Sequence, residues 1–67
     1  MRARDVIAYA ESRGWRFLRF GSRGSHRIYE HEEHSYTLSI PDHGSTDVPA
    51  GTLSKILKQI DGRWRRG

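Results

Sequence analysis

Four apolar residues near the C-terminus, Leu53, Ile56, Leu57 and Ile60, constrain the fold more than any other feature of this chain. Their spacing is i, i+3, i+4, i+7, which lines one face of an α-helix. Pro49 suits the first turn of that helix, Asp47 stands where a cap would, and Gly62 ends it. Burying the four side chains is worth roughly 6–12 kcal/mol at most. Ordering about twelve backbone residues costs at least as much. The helix therefore needs a second layer to exist. Tyr36, Leu38 and Ile40, alternating with Ser35, Thr37 and Ser39, supply one in the form of a strand with one face in and one out. Pro41 cannot donate a ladder bond and closes that strand.

The remaining elements are read against this pair. Arg4 to Arg13 forms a helix whose small apolar face is Val6, Ile7 and Ala10, with Ala3 a turn earlier. Asp5 lies near the favourable end of its dipole, and Gly14 stops it. Trp15 to Phe20 is aromatic-rich and bounded by glycines, as a strand should be, but both parities carry apolar residues. His26 to His31 is the next strand, with Ile28 and Tyr29 as its apolar side chains, and Glu32 to His34 turns into the third. The predicted fold is α+β in the order α-β-β-β-α. Short loops make the three-stranded sheet antiparallel, and both helices cover one of its faces. Leu38, Ile40, Leu53, Ile56 and Leu57 are expected to be buried. Trp15, Phe17 and Phe20 could stack on bases, but they are assigned to the core, because a chain of 67 residues is short of apolar material. One domain is expected over residues 1–61, followed by a basic aromatic tail, 62–67, that contains Arg63, Trp64, Arg65 and Arg66.

Charge points to the partner class. Lys and Arg number 12 against 8 Asp and Glu, for a net charge of +4. Arg13, Arg16, Arg19, Arg23 and Arg27 fall in one stretch, with no acid between Ser12 and Tyr29. Such a face favours an anionic partner, and nucleic acid leads. No cysteine is present, so there is neither a disulfide nor a thiolate metal site. No apolar run approaches the ~18 residues of a membrane span, and no signal-peptide region stands at the N-terminus. The expectation is a cytoplasmic protein with no membrane partner.

Inside the basic stretch lies Gly21-Ser22-Arg23-Gly24-Ser25-His26-Arg27. Two glycines free the backbone, and Arg23 and Arg27 offer forked guanidiniums that match phosphate oxygens. Ser25 can orient a phosphate. His26 can take or give a proton near neutral pH. His31 and His34, with His26 and His43, fit no defensible zinc spacing, so no metal is expected. Trp64 with its neighbouring arginines is the better placed aromatic for exposed contact with nucleic acid.

The chain resembles the HicA family, the small mRNA interferase toxins of HicA–HicB toxin–antitoxin systems. The resemblance rests on Asp5-Val6-Ile7 with Gly14-Trp15, on Gly24-Ser25-His26 followed by Ile28-Tyr29, and on Ile40-Pro41-Asp42-His43. It rests most specifically on Pro49-Ala50-Gly51-Thr52-Leu53 with Ile56-Leu57-Lys58-Gln59. Two departures stand out. Glu32-Glu33-His34-Ser35 replaces a Pro-Asp-Gly-like turn, and the tail after Asp61 is unlike the family. The resemblance implies a double-stranded-RNA-binding-domain-like fold, RNA cleavage with His26 as the catalytic residue, and neutralisation by a HicB-like antitoxin. No cofactor is expected.

Cleavage without metal can use the ribose 2′-hydroxyl as nucleophile, which needs a base, an acid and positive charge at phosphorus. His26 supplies one proton-transfer group. His43 is the second candidate, or else it fixes the loop before the last helix. Arg23, Gly24, Ser25 and Arg27 are the phosphate-binding set, with the reservation that Arg27, as the strand neighbour of His26, falls on the other face. The toxin is expected to be a monomer when free. The alternative is a non-catalytic RNA-binding module of the same fold, and the imidazole of His26 distinguishes the two.

Overall fold

The computed structural model describes residues 1–21, 24–42 and 47–62. Its elements are α1 (Ala3–Ser12), β1 (Arg16–Phe20), β2 (His26–Glu30), β3 (Leu38–Pro41) and α2 (Ala50–Ile60). The sheet runs β1-β2-β3 with both pairings antiparallel. The α-β-β-β-α order is therefore the one the sequence predicts.

Register decides which side chains meet the helices. Tyr29 stands opposite Leu38, and Arg27 opposite Ile40. Directly opposed residues share a face, so Tyr29, Leu38 and Ile40 line one side. That side is buried with Ala3, Val6 and Ala10 of α1 and Ile56 and Ile60 of α2. Ser39, of the other parity, is exposed. The two helices pack chiefly over β3.

The end of α1 is fixed by backbone chemistry. Trp15 N–H donates to the Ala10 carbonyl at 3.1 Å and Gly14 N–H to that of Glu11 at 3.1 Å. These two bonds form a Schellman cap, which needs a left-handed residue at Gly14, where φ is +92°. At the start, the Asp5 carboxylate accepts from the Arg2 N–H at 3.4 Å.

Several details differ from the sequence reading. Trp15 lies outside β1. It is the residue after the α1 cap, only 2% exposed, and its Nε1–H donates to the Ile60 carbonyl at 3.2 Å. The third strand begins at Leu38 rather than Ser35. Tyr36 lies outside the ladder, and its hydroxyl donates to the Gln59 carbonyl at 2.7 Å. Pro41 is the last residue of β3 and is tolerated there because β3 is an edge strand. Asp47 does not cap α2. It forms an isolated bridge with Arg2, and Pro49 stands at the N-cap with no side-chain bond. Leu53 and Leu57 are half-buried, packed against the core rather than within it. Phe17 and Phe20 are 44% and 53% exposed, not core. They sit on β1, the edge away from the strand over which the helices pack.

His31 ties the α1 exit to the β2–β3 turn. Its Nδ1 accepts from the Glu33 N–H at 3.0 Å, which leaves Nε2 to donate to the Arg13 carbonyl at 3.1 Å. A Cβ at Gly14 would lie 2.9 Å from that Nε2. Gly14→Ala therefore strains the backbone by about 1–2 kcal/mol and displaces a ring whose two bonds are worth about 1 kcal/mol each. The expected loss is about 2–4 kcal/mol, or roughly 10–25 °C in Tm by thermal unfolding. A loss below about 1 kcal/mol would show that the ring moves aside freely.

Candidate functional site at the β1–β2 hairpin

The hairpin end is stitched from both sides. Gly21 N–H donates to the His26 carbonyl at 2.7 Å, and Gly24 N–H to the Gly21 carbonyl at 2.9 Å. On the other flank, Asp42 N–H donates to the Ser25 carbonyl at 2.8 Å. Gly24 has φ +73° and open space around it, so its requirement is conformational. This backbone holds Gly24, Ser25 and His26 together at the head of β2.

His26 is exposed, and its Nδ1 lies 3.2 Å from Ser39 Oγ. His26 pairs with Pro41, and Ser39 pairs with Ile28, so the contact is a diagonal one across the face away from the helices. Ser39 escaped the sequence reading as a site residue. The signal was its outward parity in β3.

The arginines sort by face. Arg27 points to the helix side, as strand alternation demands. Its Nε donates to Asp42 Oδ2 at 2.7 Å, and its guanidinium lies 5.2 Å from the Phe20 ring centroid and 5.9 Å from that of Phe17. The bond to Asp42 raises the already high pKa of Arg27. Register places Arg16 opposite Glu30 and Arg19 opposite Ile28, on the same face as His26. Both arginines are exposed. The cause is a bulge at Leu18, where the register shifts between Phe17 and Arg19. One extra residue reverses the parity that follows it, so Phe17 and Phe20 share one face while Arg16 and Arg19 share the other. The mixed parity of Trp15 to Phe20 was the trace of this bulge in the sequence.

Arg23, His43 and the 63–67 tail, with Trp64, lie outside the described residues. His31 and His34 stand at the opposite end of β2, where His34 stacks on Trp15 with a centroid distance of 5.4 Å. No cluster able to hold a metal occurs among the described residues. Nor is any of their helices long and apolar enough to cross a membrane.

Fold and hairpin together define a small α+β domain of the double-stranded-RNA-binding-domain-like kind. Residues 3–61 match the family described as HicA toxin of bacterial toxin–antitoxin. The chain belongs to that family, and a toxin of this kind implies an antitoxin as its partner. No curated protein matches the chain.

Two phenols report on the packed face behind the site. Burial raises the pKa of Tyr29 first of all, with the nearby Glu11 charge adding to it and Arg27 opposing it. Burial alone raises that of Tyr36. Unfolded phenols ionise near pH 10. Above that pH the unfolded chain loses protons that the folded chain keeps, so stability holds below about pH 10 and falls as pH rises through the folded pKa values. Phenolate absorbance should appear at higher pH in the folded protein than in denaturant, and Tyr29→Phe with Tyr36→Phe should narrow the gap. Identical titrations in the two states would contradict the burial.

Proposed function

We propose that this chain is a metal-independent endoribonuclease, an mRNA interferase, with His26 as its catalytic residue. The observation that carries the reading is an exposed histidine on a hairpin fixed from both flanks, on a sheet face that also presents Arg16 and Arg19.

The chemistry needs no cofactor. A base removes the proton of a ribose 2′-hydroxyl, and the 2′-oxygen attacks the adjacent phosphorus. The bond from phosphorus to the 5′-oxygen breaks as an acid protonates the departing oxygen, leaving a 2′,3′-cyclic phosphate and a 5′-hydroxyl. His26 serves as base or acid, because an imidazole exchanges protons near neutral pH. In the tautomer whose Nδ1–H donates to Ser39 Oγ, Nε2 is the ring nitrogen that accepts the proton in this reading. Ser39 is then a positioning residue. Gly24, Ser25 and Arg23 bind and orient phosphate in this reading, and Arg19, opposite Ile28 on the His26 face, adds positive charge where the phosphorane develops, whereas Arg27, held by Asp42 on the other face, takes no part there. His43 is the candidate for the second proton-transfer group. A HicB-like antitoxin neutralises the toxin by covering the His26 loop, its acidic surface drawn to the arginines. The free toxin is a monomer.

Single-turnover cleavage of an RNA substrate tests this. His26→Ala should lower the rate by about 10²–10⁴-fold with little change in RNA affinity. Ser39→Ala removes one hydrogen bond and should lower the rate about 2- to 10-fold, with a displaced pH–rate profile that a purely structural role would not produce. Chelator should leave the wild-type rate unchanged. Undiminished cleavage by folded His26→Ala protein would end the catalytic reading and favour a non-catalytic RNA-binding module.

A further inference from the structure

We infer that Phe17 and Phe20, flanked by Arg27, form a stacking platform for unpaired bases of the RNA, on the sheet face opposite His26. This inference rests on the ribonuclease reading and adds to it the part of the substrate that lies beyond the scissile phosphate.

The first observation is exposure. Both phenylalanines of the chain stand largely in solvent, at 44% and 53%, although so short a chain has few apolar residues to spare. They are not scattered. The bulge at Leu18 brings them to one face, where their rings meet edge to face with centroids 5.1 Å apart. Tyr29 supports Phe17 from behind at 5.8 Å, also edge to face, and is itself buried. The platform therefore has a fixed floor.

The second observation is the guanidinium. Arg27 lies over both rings, and Asp42 holds it there through the 2.7 Å bond to Nε. The titratable groups near this face are Arg27, Asp42, Tyr29 and, across from Tyr29, Glu11. The Asp42 carboxylate is engaged by Arg27, so the platform presents a cation bound to two aromatic rings. Aromatic rings next to an arginine are what single-stranded nucleic acid binders offer to bases, because every base has a π-face.

The third observation is position. Phe20 pairs with Arg27, the immediate neighbour of His26. A strand whose phosphate sits against His26 needs only to pass round the end of the hairpin to reach Phe20. Bases within an A-form duplex are stacked on one another and offer no free face. The platform thus selects unpaired RNA, although domains of this general fold are associated with duplexes.

The test uses the full chain and a 2′-O-methyl oligonucleotide, which lacks the nucleophilic hydroxyl and so binds without being cut. Phe17→Leu and Phe20→Leu keep an apolar side chain and remove the ring. Each should weaken binding of the single strand about 5- to 100-fold, with unchanged thermal unfolding and little effect on a duplex of the same sequence. Phe20→Tyr should restore binding. An abasic position in the oligonucleotide should weaken wild-type binding, and the same position should make no difference to the Leu variant that has lost its contact. Unchanged single-strand binding in both Leu variants would overturn the inference. So would equal weakening on duplex, or loss of antitoxin binding alone, which would make the aromatic face a protein contact. If the wild-type chain binds neither RNA, the ribonuclease reading itself fails, which is a different result.

Discussion

The indole of Trp15 is the contact on which the rest of the fold depends. Its N–H reaches the Ile60 carbonyl, at the last turn of α2, from the residue that caps α1. One side chain thereby joins the two ends of the chain across 45 residues. Carbonyls at a helix C-terminus lack intrahelical donors, and here the protein supplies them from elsewhere. Tyr36 reaches Gln59, and Tyr9 reaches the Asp61 carboxylate that follows. Around Trp15 stand His31, His34 and Tyr36, with ring centroids 5.1–5.7 Å away. A domain this small cannot bury much apolar surface. It compensates by giving its aromatic side chains hydrogen bonds as well as contacts.

The second organising feature is the single extra residue in β1. Without it, Phe17 and Arg19 would share a face, and the basic and aromatic character of the strand would be mixed on both sides. With it, arginines line the His26 face and phenylalanines the other. An edge strand is also a hazard, because its free backbone groups invite pairing with another chain. A bulge with flanking charges is a recognised defence.

Periodicity made α2 and the last strand legible, because both bury one side only. Gly14 was legible as a stop, and Gly24-Ser25 as the turn into the strand that begins at His26. The aromatic strand was misjudged for a physical reason. Hydropathy ranks Phe17 and Phe20 as core, but whether a strand is central or at an edge depends on pairing, which no local pattern records. A bulge is a property of register between two strands and leaves only a broken alternation in one of them. Ser39 was passed over because a serine on an outward face is ordinary until a histidine is found diagonal to it. Asp47 looked like a cap, yet its backbone was committed to Arg2 at the other end of the chain.

The Trp15 cluster and the His26 hairpin lie at opposite ends of the same strands. β1 starts beside Trp15 and ends at Gly21, while β2 starts at His26 and ends beside His31. Five residues of strand hold the two ends roughly 17 Å apart. The groups that keep the chain folded are thus not those of the proposed site, and substitutions at sites this far apart act almost independently. Under the proposed function, a lineage carrying such a toxin blunts or restores its bite by changes at the hairpin alone. The folded body stays intact throughout.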